Sequence, residues 1–199
     1  MPADAMPPPT RDRLIAAMTD ALRRRGLHGI GLSELLQAAQ APKGVLYHHF
    51  PGGKTELAVA AIDAAATEMA ARLDALLRRE PDPLAALRTW LAGAQRLLER
   101  SDFAAGCPLA TVALESTPGD TALREALARA FAVLRERLAS SLTRAGLPAA
   151  RSSALSLLLV AAYEGALMQA RVAGNAQALN ATTDILLDLV ERELREATA

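Results

Sequence analysis

The segment from Pro42 to Lys54 carries the greatest density of chemically capable side chains in this sequence. It reads Pro-Lys-Gly-Val-Leu-Tyr-His-His-Phe-Pro-Gly-Gly-Lys, and its two lysines are the only ones among the 199 residues. Ammonium, phenol and imidazole groups all suit phosphate oxygens, and a lysine also suits a base edge. Two interpretations follow: an ordinary exposed helix that ends in a glycine turn, or a surface that binds DNA.

Three short helices are predicted to position this segment. Apolar residues recur at helical spacing over residues 11–25, and Thr10 is placed to accept the free N–H groups of that helix's first turn. A shorter helix is predicted over residues 32–39. A third is predicted to start near Pro42, where a missing N–H costs nothing.

The third helix is predicted to have an inner and an outer face. Leu46 and Phe50 lie four residues apart, so both face the core. The residues left on the outer face are Lys43, Gly44, Val45, Tyr47 and His48. A valine methyl suits the methyl group of a thymine, and a glycine lets the backbone approach DNA closely. A helix, a short turn and a second helix with such a face form a helix-turn-helix motif.

On these residues the sequence resembles the tetracycline-repressor (TetR) family of bacterial transcription regulators. The family pattern Lys-Gly-x-Leu-Tyr-x-x-Phe followed by Lys-x-x-Leu is present between Lys43 and Leu57, and the resemblance extends back to Arg11. It identifies Lys54 with the family's phosphate-contacting lysine. It also implies an operator of double-stranded DNA as partner.

Two residues depart from the family pattern at the turn. Gln40 stands where the family has a glycine, so a residue with a Cβ is expected in a left-handed conformation, at a cost of about 1 kcal/mol. Pro42 replaces the usual serine, and it offers neither a hydroxyl cap nor a backbone N–H for a phosphate. Both changes alter the turn and leave the motif assignment in place.

A second segment, Gly106 to Glu115, is similar to one subgroup of the family. Named members of that subgroup respond to lincomycin-type drugs and flavonoids. The resemblance implies a repressor that is released from a palindromic operator by a small apolar or aromatic inducer, entering between the fourth and seventh helices. It also implies a homodimer built from the eighth and ninth helices, with Leu158, Ala162, Ile185 and Leu189 in the interface.

Composition favours an all-α protein, and the spacing of apolar residues along the chain predicts about nine helices. Half of the residues are hydrophobic and only 3% are aromatic, which suits closely packed helices. We predict a disordered tail over residues 1–9, a helix-turn-helix domain over 10–54 and a ligand-binding and dimerisation domain over 55–199. The net charge is zero, but residues 1–57 carry seven Lys or Arg and five Asp or Glu, a modest basic excess.

The sequence also indicates where the protein acts. A single cysteine excludes an intrachain disulfide and favours a reducing cytoplasm. The most apolar run, residues 154–168, is interrupted by Glu164 and is too short to span a bilayer. We expect a buried or interface helix there, and no membrane partner.

Candidate ligand contacts lie in the larger domain. They are Trp90, Phe103, Cys107, Phe131, Tyr163, Glu164, Met168 and Gln169. The polar groups of Tyr163 and Glu164 need partners in an apolar helix, and a ligand, another helix or a second subunit would each supply one. Cys107 is open to two interpretations: an inert wall residue, or a redox sensor whose pKa is lowered at the start of the sixth helix.

Other function classes lack their signatures. The sequence has no nucleophile elbow, zinc-protease motif, phosphate loop or paired-cysteine metal site. His48 and His49 are adjacent and diverge on a helix, so they make a poor metal pair. We therefore predict no enzyme, no metal and no cofactor. A helical interaction module without DNA binding is the alternative, although Lys43, Tyr47 and Lys54 argue against it.

Overall fold

The structure, a computed structural model, describes residues 8–80 and 82–198 of the chain. Within these ranges it contains nine α-helices and no strand, which confirms the all-α prediction. The helices are α1 (Thr10–Arg25), α2 (Leu32–Ala38), α3 (Val45–His49), α4 (Gly53–Arg79), α5 (Pro83–Arg100), α6 (Pro108–Glu115), α7 (Thr121–Arg144), α8 (Ala149–Ala173) and α9 (Gln177–Thr198). The predicted tail falls mostly outside the described residues, and Pro8 accepts a hydrogen bond from Arg13.

The N-terminal helices pack on one another as their apolar spacing predicts. Leu14, Met18 and Leu46 are fully buried, and Phe50 is 1% exposed. The same apolar cluster continues into α4, α6 and the first half of α7. The motif is therefore packed directly onto the larger helical unit. A second cluster joins α5, the end of α7, α8 and α9.

Two predicted helix starts are wrong by one to three residues. Thr10 makes no capping bond; it is the first residue of α1, and the carbonyl of Pro9 accepts the N–H groups of Asp12 and Arg13. The third helix begins at Val45 instead of Pro42. It begins later because residues 42–45 form a turn, in which the Val45 N–H donates to the Pro42 carbonyl with an N–O distance of 3.1 Å.

Several helix ends in the larger unit carry residue types that are typical of their positions. Asp82 caps α5 by accepting the N–H of Leu84, with Pro83 in the first turn. Gly174 ends α8 in the left-handed conformation. Asp120 stands at the start of α7 but makes no side-chain cap there. Its carboxylate instead accepts the backbone N–H and the hydroxyl of Thr117, and these bonds lower its pKa.

Helix α8 is long and apolar enough to cross a membrane, by length and composition only. In this fold it packs between α7 and α9. Three of its serine and tyrosine side chains, Ser152, Ser156 and Tyr163, are buried and hydrogen-bonded to protein carbonyls. It is a packed helix of the bundle, as the sequence indicated, but the run predicted to be too short for a bilayer belongs to a longer helix of 25 residues.

Candidate nucleic-acid interface and ligand cavity

The predicted outer face of α3 is open to solvent. Lys43, Gly44 and His48 are exposed, and Tyr47 is 58% exposed. Val45 is half-buried, because it packs partly against the N-terminal core. A Cβ added at Gly44 would meet no atom within 4 Å, so backbone and side chains are both accessible from this side. The arrangement can present ammonium, phenol and imidazole groups to a DNA groove.

The turn before α3 has the predicted left-handed residue. Gln40 has a φ of +50°, although it carries a Cβ. Arg13 of α1 supports this turn: its guanidinium donates to the carbonyls of Ala39 at 3.0 Å and Gln40 at 3.2 Å. Sequence reasoning missed this role, because an arginine on a helix surface carries no signal of a long-range backbone contact.

The Lys54 side chain, predicted to contact a DNA phosphate, already has a hydrogen-bond partner within the protein. Its ammonium donates to the carbonyl of Ile30 at 2.6 Å, and the side chain is half-buried. The bond ties the start of α4 to the loop that leads into α2. Lys54 thus has a structural role within the motif in addition to the phosphate contact predicted for it.

A cavity of about 370 Å³ lies inside the larger helical unit. Its walls come from α4, α5, α7, α8, the residues before and at the start of α6, and Arg23 of α1. The wall is largely apolar, with Met69, Leu87, Leu91, Leu134, Leu138, Leu159, Val160 and Leu167 among its residues. Trp90, Cys107, Tyr163 and Glu164 of the predicted set also line it. Its size and lining are those of a small-molecule site.

Four other predicted ligand residues lie outside this cavity. Met168 lines a small side cavity of about 30 Å³ that Cys107 and Glu164 also border. Phe103 and Phe131 are half-buried in the two apolar clusters. Gln169 is exposed, because it follows Glu164 by five residues and therefore points about 140° away around α8.

Two polar groups of the cavity wall are already paired with neighbouring helices. The indole N–H of Trp90 donates to the carbonyl of Met69 at 3.1 Å, and the hydroxyl of Tyr163 donates to the carbonyl of Leu91 at 2.9 Å. Burial raises the pKa of Tyr163, and the nearby Glu164 adds to the shift. For Tyr163 the structure thus favours the helix–helix hydrogen bond over a ligand contact.

Glu164 and Cys107 form a buried pair. A hydrogen bond joins the Cys107 thiol to the Glu164 carboxylate, and burial raises the pKa of Glu164. The pKa of Cys107 lies well above its ordinary value, first because the thiol is buried and second because of the Glu164 charge. Of the two interpretations of Cys107, the raised pKa favours the inert wall residue over the redox sensor, since burial and Glu164 outweigh the α6 backbone.

Three hydrogen bonds join the cavity side of the protein to the end of α1. The N–H of Gly106 donates to the carbonyl of Arg23 at 2.9 Å, and Arg171 donates to the carbonyl of Arg24 at 2.7 Å. The N–H of Leu27 donates to Glu115 at 2.6 Å. These bonds connect α6, its preceding loop and α8 to the helix-turn-helix unit. None has a recognisable sequence signature.

Gly26 stands at the centre of this junction. Its φ is +76°, and a Cβ on it would lie 2.0 Å from Oε1 of Glu115. The backbone conformation favours glycine, and a side chain here would also have to displace the Glu115 carboxylate that accepts the Leu27 N–H. The junction therefore packs tightly where α1 ends.

The predicted dimer residues lie on α8 and α9. Leu158 is 46% exposed and Ile185 is 66% exposed, while Ala162 and Leu189 are half-buried. Leu157 on α8 is also exposed. Large apolar side chains therefore face solvent on both helices.

In the part of the chain that the structure describes, no cluster of three or more His, Cys, Asp or Glu side chains is arranged to hold a metal. His48 and His49 meet edge to face, with ring centroids 5.0 Å apart.

Comparison with known proteins identifies both halves of the chain. Residues 14–61 match the tetR family of bacterial regulatory proteins. Residues 83–185 match the C-terminal domain of LmrA/YxaF-like transcriptional regulators.

Individual relatives cover nearly the whole chain. An uncharacterised HTH-type transcriptional regulator of Mycobacterium tuberculosis is 34% identical, over 93% of this chain and 92% of its own. The transcriptional regulator LmrA of Bacillus subtilis is 26% identical, over 92% of this chain and 97% of its own. The crystal structure of a regulatory protein TetR from Rhodobacter sphaeroides superimposes with a TM-score of 0.79 at 28% identity, over 90% of this chain and 97% of that one.

The exposed α3, its turn and the helical unit behind it define a helix-turn-helix regulator that binds DNA. The chain belongs to the TetR family of bacterial transcriptional regulators, with a C-terminal domain of the LmrA/YxaF-like kind. The relatives reported above are transcriptional regulators and not enzymes, as the sequence predicted.

Proposed function

We propose that this protein is a ligand-responsive repressor that binds a palindromic operator as a homodimer and is released by a small apolar or aromatic inducer. The observation that carries the proposal is the cavity of about 370 Å³, whose wall residue Gly106 is hydrogen-bonded to Arg23 of α1. Arg23 also lines the cavity, so a ligand there would lie against the first helix of the DNA-binding unit.

The proposed mechanism is linkage between two states. The ligand binds more tightly to a conformation in which Gly106, Glu115 and Arg171 contact the end of α1 differently. The difference in its binding free energy between the two conformations weakens DNA binding by the same amount. On the DNA side, the half-buried Val45, the exposed residues of α3 and Lys43 in the turn before it would enter the major groove. Lys54 would contact a phosphate by exchanging its bond to the Ile30 carbonyl.

The proposed dimer follows from the exposed apolar side chains of α8 and α9. A contiguous apolar face on a monomer marks an interaction surface, and a second copy would cover it. A two-fold axis there would place two α3 helices in successive major grooves, about 34–36 Å apart or a multiple of that distance. We assign Leu158, Ala162, Ile185 and Leu189 to this interface, in a protein that acts in the cytoplasm.

The dimer is tested by sedimentation of the double variant Leu158→Asp, Ile185→Asp. Both side chains are exposed, so the fold should survive and the protein should run as a monomer that no longer binds its operator. Leu114→Asp is the matched control, because Leu114 is 76% exposed on α6. A double variant that still sediments as a dimer would exclude this surface.

The whole proposal is tested by gel shift with the DNA upstream of the protein's own gene, with and without candidate ligands. Sequence-preferring binding that a ligand abolishes supports a ligand-responsive repressor. Absence of sequence preference even at low salt would favour the interaction module.

A further inference from the structure

The carboxyl group of Glu164 is the least satisfied polar group of the cavity wall. The residue is half-buried, but its Oε2 is inaccessible to solvent and accepts no hydrogen bond from any group in the described part of the chain. The protein partner it does have is the Cys107 thiol, a weak donor. Glu164 borders both the large cavity and the small side cavity, so its carboxyl group stands where a ligand would lie.

No cation of the described protein compensates this carboxylate. Arg23 and Arg72, which also line the cavity, are paired with Glu68. Arg171 borders the side cavity, but its guanidinium donates to the carbonyl of Arg24. Arg96 is exposed at the cavity's edge, and it forms no ion pair with Glu164.

A buried carboxylate without a cation is costly, so it either takes up a proton or binds a positively charged partner. The cavity wall around Glu164 includes leucines, Val160 and Trp90, so it suits a ligand whose main part is a hydrocarbon chain or an aromatic ring. A ligand that combines such a main part with one protonated amine would satisfy both features of the site.

We propose that Glu164 is the subsite for the protonated amine of an otherwise apolar ligand. The inference rests on the proposed function, because it specifies the inducer class of the same cavity. An ammonium at Glu164 would compete with the Cys107 thiol for the carboxylate. Cys107 follows Gly106, whose N–H holds the carbonyl of Arg23, so amine binding would act at the junction with α1.

The test compares three probes with one hydrocarbon body: phenylbutylamine, phenylbutanol and phenylbutanoate. Trp90 is the sole tryptophan of the chain and lines the cavity, so its fluorescence reports occupancy of this cavity. Titration calorimetry on the same samples measures affinity independently. The proteins are the wild type, Glu164→Gln, which keeps the shape and removes the charge, and Glu125→Gln, the same change at an exposed position on α7.

We expect the wild type and Glu125→Gln to bind the amine about tenfold more tightly than the alcohol, because a hydrogen bond to a charged group is worth about that much. Both proteins should bind the carboxylate probe most weakly of the three. Glu164→Gln should bind amine and alcohol equally, with unchanged affinity for the alcohol. The subsite would be refuted by equal amine and alcohol binding in the wild type, by an amine preference that survives in Glu164→Gln, or by a uniform loss of all three probes.

These binding measurements contain no DNA, so they separate the subsite from the proposed function. Amine binding through Glu164 that leaves operator affinity unchanged would sustain the subsite and contradict the ligand-responsive repressor. If a neutral compound releases the operator equally from the wild type and Glu164→Gln, the ligand-responsive repressor is supported. The amine subsite is then decided separately by the affinities of the three probes.

Discussion

The backbone N–H of Gly106 donates a hydrogen bond to the carbonyl oxygen of Arg23, and the two atoms are 2.9 Å apart. One partner belongs to the wall of the cavity and the other to the last turn of the first helix. This bond, the Arg171 bond to Arg24 and the Glu115 bond to Leu27 fix the end of α1 from three sides. In the proposed mechanism, a change in the cavity wall acts on the DNA-binding unit through these three bonds.

Removal of the Arg171 guanidinium should weaken the coupling between the cavity and DNA. Arg171→Met keeps much of the side chain's length and loses the bond to Arg24. We expect ligand affinity to change little, while the ligand's effect on operator affinity falls by about 0.5–2 kcal/mol. Paired titrations of DNA with and without ligand measure this. Arg88→Met, an exposed α5 arginine, is the control; equal coupling in both variants would argue against the junction.

Lys54→Met should affect both folding and DNA binding. Loss of the bond to the Ile30 carbonyl should lower the free energy of unfolding by about 1.5–3 kcal/mol, as for a hydrogen bond from a charged group. Loss of a phosphate contact should weaken binding to all DNA sequences and lower the salt slope by about one per subunit. Thermal unfolding and salt-dependent anisotropy measure the two effects.

Val45→Ala is the comparison for Lys54, since it should alter the preference at one or two base pairs and leave the salt slope unchanged. A Lys54→Met protein that is destabilised but keeps the wild-type salt slope would leave Lys54 with its structural role alone.

Cys107 should behave as a shielded wall residue. Burial and the Glu164 carboxylate hold its pKa well above the ordinary value, so little reactive thiolate forms near neutral pH. We expect slow reaction with a bulky thiol reagent, and no peroxide-driven release of DNA in the wild type or in Cys107→Ser. A redox sensor would show fast modification and release that disappears in Cys107→Ser.

Ionisation of Glu164 should lower the free energy of unfolding as pH rises. Burial raises its pKa in the folded state above the ordinary value of about 4.5. Between the two pKa values the folded state binds more protons than the unfolded state, so the free energy of unfolding decreases with rising pH by about 1.4 kcal/mol for each unit of elevation. Glu164→Gln should remove this dependence.

Denaturant unfolding of Glu164→Gln and the wild type, from about pH 4.5 upward, measures the effect. The gap between the two proteins should widen with pH and then level off. Glu125→Gln should track the wild type throughout. A gap that is constant with pH would mean that Glu164 does not titrate differently in the folded state.

Local patterns predicted most of the fold. The leucine series of α7 from Leu123 to Leu142 lies buried as its spacing requires, and Gln40 takes the left-handed turn conformation that its position demanded. Trp90, Cys107, Tyr163 and Glu164 line one cavity, and their role as ligand contacts stays a prediction. Phe103, Phe131, Met168 and Gln169 do not line it, since a position in the sequence does not fix which of several packed faces a residue occupies.

The contacts that connect the parts could not be predicted. Lys54 with Ile30, Arg13 with Ala39, and Gly106 with Arg23 each involve a backbone carbonyl far away in sequence. Every residue has a backbone carbonyl, so the type of residue that accepts such a bond gives no signal in the sequence. Such contacts emerge only from the packing of whole helices.

The central claim is that the cavity and the DNA-binding face are linked, and reciprocal titration tests it most directly. Operator affinity is measured with and without saturating ligand, and ligand affinity, followed by Trp90 fluorescence, is measured with and without operator DNA. We predict that each partner weakens the other by the same factor, on the order of 5- to 150-fold. A ligand that fills the cavity and leaves operator affinity unchanged would contradict the account.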